Sequence, residues 1–330
     1  MTQALPTLID RRSLSSSEAW RKMLPSDRLE AVRKIRIFTP EASRYLTRLN
    51  ARVRGSGPAP SGNAGILITG PAHIGKHTMI EFLAENNPPV QTETIARQGI
   101  VIVPPVARPD PSVLTEAIEM ATDWRYRGER LAPGAGPAAQ VNRICQAKDV
   151  RALVFDRAMF LCGRYAVAAE AVPFLTGIMD KGRTLIVLVG SKTLEDRIKR
   201  TTGLSERFFF WRLAPYEYGP DWVKALQDYE AKMPFAAGSL TAGTMPARLY
   251  LACWGKLPRF GMLTIEAARN CLNRRSNETI KLEDFYNAHA ELEPDDKRNP
   301  FDTAYDAAVL ADDIARGPQA RASVLTEIDR

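Results

Sequence analysis

The chain of 330 residues is poor in the side chains that build metal centres and covalent staples, with four cysteines and three histidines. Cys145, Cys162, Cys253 and Cys271 lie far apart and form no Cys-x-x-Cys pair, so neither a zinc cluster nor a disulfide framework is supported. His73 and His77 share one short stretch and His289 stands alone, too few for a histidine-rich site. No apolar run approaches the roughly 18 residues needed to span a bilayer. The N-terminal stretch MTQALPTLIDRRSLSSSEAW has no charged segment followed by an apolar one, so no secretory signal is expected. These absences lead to the expectation of a soluble, cytoplasmic protein without a membrane partner.

What is present is a globular composition, 45% hydrophobic and 25% charged, at a length that suits about two domains. The net charge of +7 is unevenly placed. Residues 1–60 carry twelve Lys and Arg against five acids, whereas residues 291–330 carry ten acids against five bases. A basic leader and an acidic trailer suggest a polyanion or a complementary subunit as partner, although two solvated arms would look the same. Hydrophobes are sparse in the last forty residues, which read as a flexible tail with at most short helices.

Residues 18–54 read as helical, with Asp27 and Glu30 fitting a capping box and Thr39-Pro40 a helix start. The stretch GSGPAPSGNAG (55–65) is a linker. Beyond it, short apolar runs at 66–69, 100–103, 152–155 and 185–189 alternate with helical patterns near 76–86, 113–121, 166–179 and 194–200. Residues 131–139 (LAPGAGPAA) read as a flexible insertion. Strands alternating with helices predict an α/β core with a parallel sheet flanked by helices. After Pro215 the segments 221–233, 246–254, 261–273 and 281–290 read as a small all-helical domain. The expected organisation is therefore a basic helical extension (1–60), an α/β core (61–215), a helical lid (216–290) and an acidic tail (291–330).

The sharpest motif is Gly70-Pro71-Ala72-His73-Ile74-Gly75-Lys76-His77-Thr78, a GxxxxGK run between a strand and a helix. In such a P-loop the glycines let backbone N–H groups curl around phosphates, the helix start adds its dipole, and the lysine reaches the β- and γ-phosphates. The residue after the lysine normally supplies a hydroxyl to Mg²⁺; here it is His77, and imidazole is a poor partner for a hard cation. Thr78 lies about 100° further round the helix and is badly placed to substitute. The strand 152–155 ends in Asp156, which could hold Mg²⁺ through water. The next position, where a glutamate would polarise the attacking water, is Arg157, which cannot accept a proton. Binding of ATP is expected, and turnover is expected to be impaired. Ser191, at the end of the fourth strand, suits a γ-phosphate sensor, and Arg207 suits either an arginine finger reaching a neighbouring subunit or a solvated residue in a surface ion pair.

In the order of these motifs the chain resembles TniB-type transposition ATPases, relatives of the AAA+ regulator TnsC. The likeness runs through AGILITGPAHIGKHTMIE (64–81), VIVPPVARP (101–109), the strand ending in Asp156, LVGS (188–191) and LSERFFFWRLAP (204–215). The resemblance implies an AAA+ core with a helical lid, ATP and Mg²⁺ as ligands, and a ring or filament of copies on duplex DNA with little sequence preference. It also implies a DDE-type transposase as partner, with a TniQ-like adaptor. By position, Arg108 is a candidate for DNA contact, as are Arg125, Arg127 and Arg130 in the basic and aromatic run 124–130. His77 and Arg157 depart from the family pattern of a hydroxyl and a glutamate. A different reading is a pseudo-ATPase adaptor with a vestigial pocket. A housekeeping AAA+ enzyme of the replication-initiator or helicase-loader type is a third.

Overall fold

A computed structural model describes residues 18–55, 65–91, 96–106, 110–124, 136–162, 166–181, 184–274, 278–296 and 298–328. The chain divides into two compact units, one of residues 40–214 and one that joins the described residues up to Thr39 to those from Pro215 onward. The first helices are α1 (Pro25–Arg33) and α2 (Pro40–Val53), which lead into β1 (Gly65–Thr69) and α3 (Lys76–Glu85). A two-residue antiparallel pair, β2 (Val90–Gln91) and β3 (Ala96–Arg97), precedes β4 (Ile100–Val103), α4 (Pro111–Ala121) and α5 (Pro137–Ala147). There follow β5 (Ala152–Phe155), α6 (Ala166–Lys181), β6 (Leu185–Gly190), α7 (Lys192–Arg200) and β7 (Phe208–Arg212). The helices α8 (Pro220–Glu230), α9 (Met245–Cys253), α10 (Leu257–Leu272), α11 (Leu282–Leu292) and α12 (Ala307–Ile328) complete the described chain.

The main sheet is wholly parallel, in the order β4-β5-β6-β1-β7. Its central strands are buried at every position because both faces are covered. Register carries one alternation across the sheet: Leu67 lies beside Leu188, Phe155 beside Leu188, and Val103 beside Phe155. These residues share a core with Leu114 and Ile118 of α4, Val141 of α5, Leu175 and Ile178 of α6, and Leu194 and Ile198 of α7. The intervening residues, such as Ile66 and Ile68, are equally buried. On α2, Ala42, Leu46, Leu49 and Val53 recur at helical spacing as one buried stripe.

The parallel α/β core and the helical segments agree with the expected fold class. Three local readings need correction. Residues 18–54 are largely helical and α2 starts at Pro40 as read, but a short 3-10 turn at Glu18–Lys22 precedes α1, and Leu24 with Pro25, not Asp27, stands at the start of α1. Proline's fixed φ suits the first helical position, so it sets that boundary. The insertion read at 131–139 lies outside the described residues only as far as 135; Pro137 already begins α5. Strand β7 (FFFWR) has no counterpart in the expectation, being a short aromatic run on the sheet edge, where Trp211 stacks on Tyr45 at 4.5 Å.

In the second unit Val32, Trp222, Leu226, Phe235, Phe260, Phe285 and Phe301 form a continuous core. Arg28 is buried in it, donating to the Pro234 carbonyl at 3.0 Å between the rings of Trp20 and Phe235. The described residues up to Thr39 therefore belong to this unit, whereas α2 belongs to the sheet unit. The acidic trailer also differs from a bare flexible tail. Phe301 is buried against Phe285, and the guanidinium of Arg248 donates to the carbonyls of Pro300, Asp302 and Tyr305. Further on, α12 is broken at Gly317, whose φ of 75° and ψ of 174° are not helical.

Candidate phosphate-binding site

The loop between β1 and α3 is shaped by its sequence. Gly70 leaves the strand against the Leu213 carbonyl, which a Cβ at that position would meet at 2.6 Å. Gly75 has φ of 93° and stands at the N-cap of α3, a conformation that glycine adopts without steric cost. His73 holds φ of 56°, uncommon for a residue with a side chain. Ile74 is buried, with its side chain beside Gly70. The first amides of α3 have no helical acceptor and, with the dipole, make the helix start an anion site. Lys76 is its first residue, and its ammonium donates to the Gly70 and Pro71 carbonyls at 2.8 and 2.7 Å. Burial lowers the Lys76 pKa, and the charge of Asp156 opposes that shift.

His77 meets the end of β5. Its Nδ1 lies 2.7 Å from Asp156 Oδ2, and its Nε2 lies 2.9 Å from Glu81 Oε1, one turn along α3. The second oxygen of Asp156 accepts the Arg157 amide at 2.9 Å. The Asp156 side chain is only 11% exposed, whereas that of His77 is 58% exposed. Arg157 is exposed and has φ of 51°. This donor set does not fit Mg²⁺. The position that would offer a hydroxyl carries an imidazole, and both oxygens of the strand-end carboxylate Asp156 are already engaged. No cluster of three His, Cys, Asp or Glu able to hold a metal occurs among the described residues.

A second network, not foreseen from sequence, braces the same end of the sheet. Glu195 of α7 is fully buried and accepts from Thr69 Oγ1 at 2.9 Å, from Lys199 Nζ at 2.6 Å and from two nitrogens of Arg212. These bonds, those of Arg212 foremost, hold its carboxyl far below the usual carboxylate range against the opposing effect of burial. Thr69 and Arg212 face each other as the last residues of β1 and β7, so the network stands directly behind Gly70. The available signal was weak: an acid beside Leu194 on an otherwise strongly charged helix.

Ser191 is the N-cap residue of α7, with its hydroxyl 3.4 Å from Met159 Sδ after β5. Arg207 pairs with Asp180 of α6, and its carbonyl accepts from Gly65, the first residue of β1. It therefore lies at the opposite end of the sheet from its own phosphate loop. Lys76, His77 and Asp156 are brought together; Arg207 is not among them. Arg108, Arg125, Arg127 and Arg130 lie outside the described residues. Among the described residues no helix is long and apolar enough to cross a membrane.

Several solved structures are similar in fold. The ORC2 protein of Aeropyrum pernix, solved as ADPNP-ADP complexes, matches at a TM-score of 0.52 with 15% identity, over 81% of this chain and 72% of that one. The ORC1 protein of the same organism, in complex with DNA, gives 0.48 with 21% identity, over 78% and 67% of the two chains. A Walker-type ATPase of Pyrococcus abyssi gives 0.48 with 15% identity, over 90% and 92%. At these identities the likeness concerns the fold alone. No curated protein matches the sequence. The family model described as bacterial TniB protein matches residues 28–218, which span β1, the phosphate loop and the whole parallel sheet. Over more than half its length, the chain thus belongs to the TniB family.

Proposed function

We propose that this protein is a nucleotide-dependent regulator of DNA transposition that binds ATP, assembles on duplex DNA and engages a DDE-type transposase, with hydrolysis weak or absent. Membership of the TniB family and an AAA+ type of fold support a transposition-associated ATPase. The single observation that carries the nucleotide part is the phosphate loop: a left-handed Gly75 at a helix start, with Lys76 poised beside it. Weak turnover follows from Arg157, a guanidinium that cannot accept a proton and stands where a general base is needed. Ser191 would sense the terminal phosphate. Arg207, far from its own loop, would serve the nucleotide of a neighbouring copy in a ring or filament. Contacts of Arg108, Arg125, Arg127 and Arg130 with DNA phosphates, and the partnership with a transposase or a TniQ-like adaptor, rest on the family resemblance. The basic excess in residues 1–60 is consistent with a polyanionic partner.

The test is ATP binding and phosphate release on one preparation, each with and without duplex DNA. A ligand at a hundred times its Kd stabilises a fold by about 2.7 kcal/mol, and this stabilisation is expected with ATP and lost in Lys76→Ala. Negligible phosphate release is expected throughout. No stabilisation by ATP would favour the protein–protein adaptor reading, and brisk hydrolysis would refute the degenerate-ATPase reading.

A further inference from the structure

We infer that the phosphate loop of this chain takes ATP as the metal-free anion, with the His77–Asp156 contact standing where other phosphate loops seat a magnesium ion. The inference rests on the nucleotide reading above and concerns what accompanies the nucleotide. Three observations converge on it.

The first is the donor set. A phosphate-loop hydroxyl and a strand-end carboxylate are the oxygen groups with which a P-loop protein meets Mg²⁺. Here the hydroxyl is replaced by His77, and Thr69, the nearest hydroxyl before the loop, is committed to Glu195 at 2.9 Å. The second is occupancy. Asp156 Oδ2 is held by His77 Nδ1 at 2.7 Å and Oδ1 by the Arg157 amide at 2.9 Å, while Glu81 holds the other face of the imidazole at 2.9 Å. A magnesium ion arriving with ATP would have to break a short contact that is braced from both sides, in exchange for an imidazole. The third is charge. A strand end with two adjacent carboxylates needs a dication to tolerate a triphosphate nearby. This strand end has one carboxylate followed by the fixed cation of Arg157, so the local balance is two charges more positive than with glutamate there. Together with Lys76 and the helix start, that balance accommodates the anion without a metal.

The experiment is calorimetric or fluorescence titration of the full chain with ATP at constant ionic strength, once in excess EDTA and once in excess magnesium chloride. Binding in EDTA is expected to be as tight as in magnesium or tighter, since magnesium sequesters the free anion. His77→Thr frees Asp156 and restores the hydroxyl, and the exposed ring is replaced without disturbing the core. That variant is expected to bind ATP about tenfold more tightly with magnesium than without, a difference of about 1.4 kcal/mol. A parent protein that binds ATP more than about threefold more tightly with magnesium overturns this inference and leaves the nucleotide reading intact. A variant as indifferent to magnesium as its parent removes His77 as the cause and likewise overturns it. Absence of ATP binding under both conditions overturns the inference and the nucleotide reading together.

Discussion

Replacing Glu195 by glutamine asks whether the phosphate loop is braced by a buried charge. The carboxylate is fully buried and accepts from Thr69 at 2.9 Å, from Lys199 at 2.6 Å and from Arg212 at 2.6 Å. Breaking a buried ion pair by removing one partner costs about 3–5 kcal/mol. In this network the cations reach water, with the side chains of Arg212 and Lys199 59% and 41% exposed, and they rehydrate once the carboxylate is gone. The expected loss for Glu195→Gln is therefore reduced to about 2 kcal/mol at neutral pH. The pH dependence follows from the direction of the shift. The folded carboxyl lies below its ordinary value of 4.5, so its contribution is complete above that pH and is lost as the pH falls through and below it. Urea denaturation followed by circular dichroism should show parent and variant converging as the pH drops from about 5 to about 3. A variant within about 0.5 kcal/mol of its parent at neutral pH, or an unchanged gap in acid, would refute the reasoning.

Other substitutions probe the frame around the site and the helical unit. Gly70→Ala forces a Cβ to 2.6 Å from the Leu213 carbonyl, and thermal denaturation should register a loss of about 1–3 kcal/mol with weakened ATP binding. Gly255→Ala meets both a φ of 67° and the Tyr216 backbone, so it should cost about 3 kcal/mol or more and lower the yield of folded protein. Arg248→Met leaves the carbonyls of Pro300, Asp302 and Tyr305 without their donor. Hydrogen exchange should then rise selectively in residues 299–305, with a global loss of about 2 kcal/mol.

Much of this protein was determined by contiguous sequence. Four short apolar runs bounded by glycine or polar residues and alternating with helical patterns suited buried parallel strands, and GxxxxGK between a strand and a helix has a local shape set by Gly70, Gly75 and the start of α3. The substitutions His77 and Arg157 were equally visible, because they stand at fixed offsets from that motif. Strand β7 escaped notice because FFFWR neither alternates nor resembles its neighbours until the edge beside β1 pairs it. Residues 298–310 were hidden because the last forty residues as a whole are poor in hydrophobes, yet this part is ordered through a buried phenylalanine and one arginine on three carbonyls. Only tertiary structure decided what His77 does. Its partner Asp156 is 79 residues away, and the Thr69–Glu195 bond spans 126. Hydrogen bonds of that separation depend on strand order and on how helices lie across the sheet. Neighbouring residues carry no record of either.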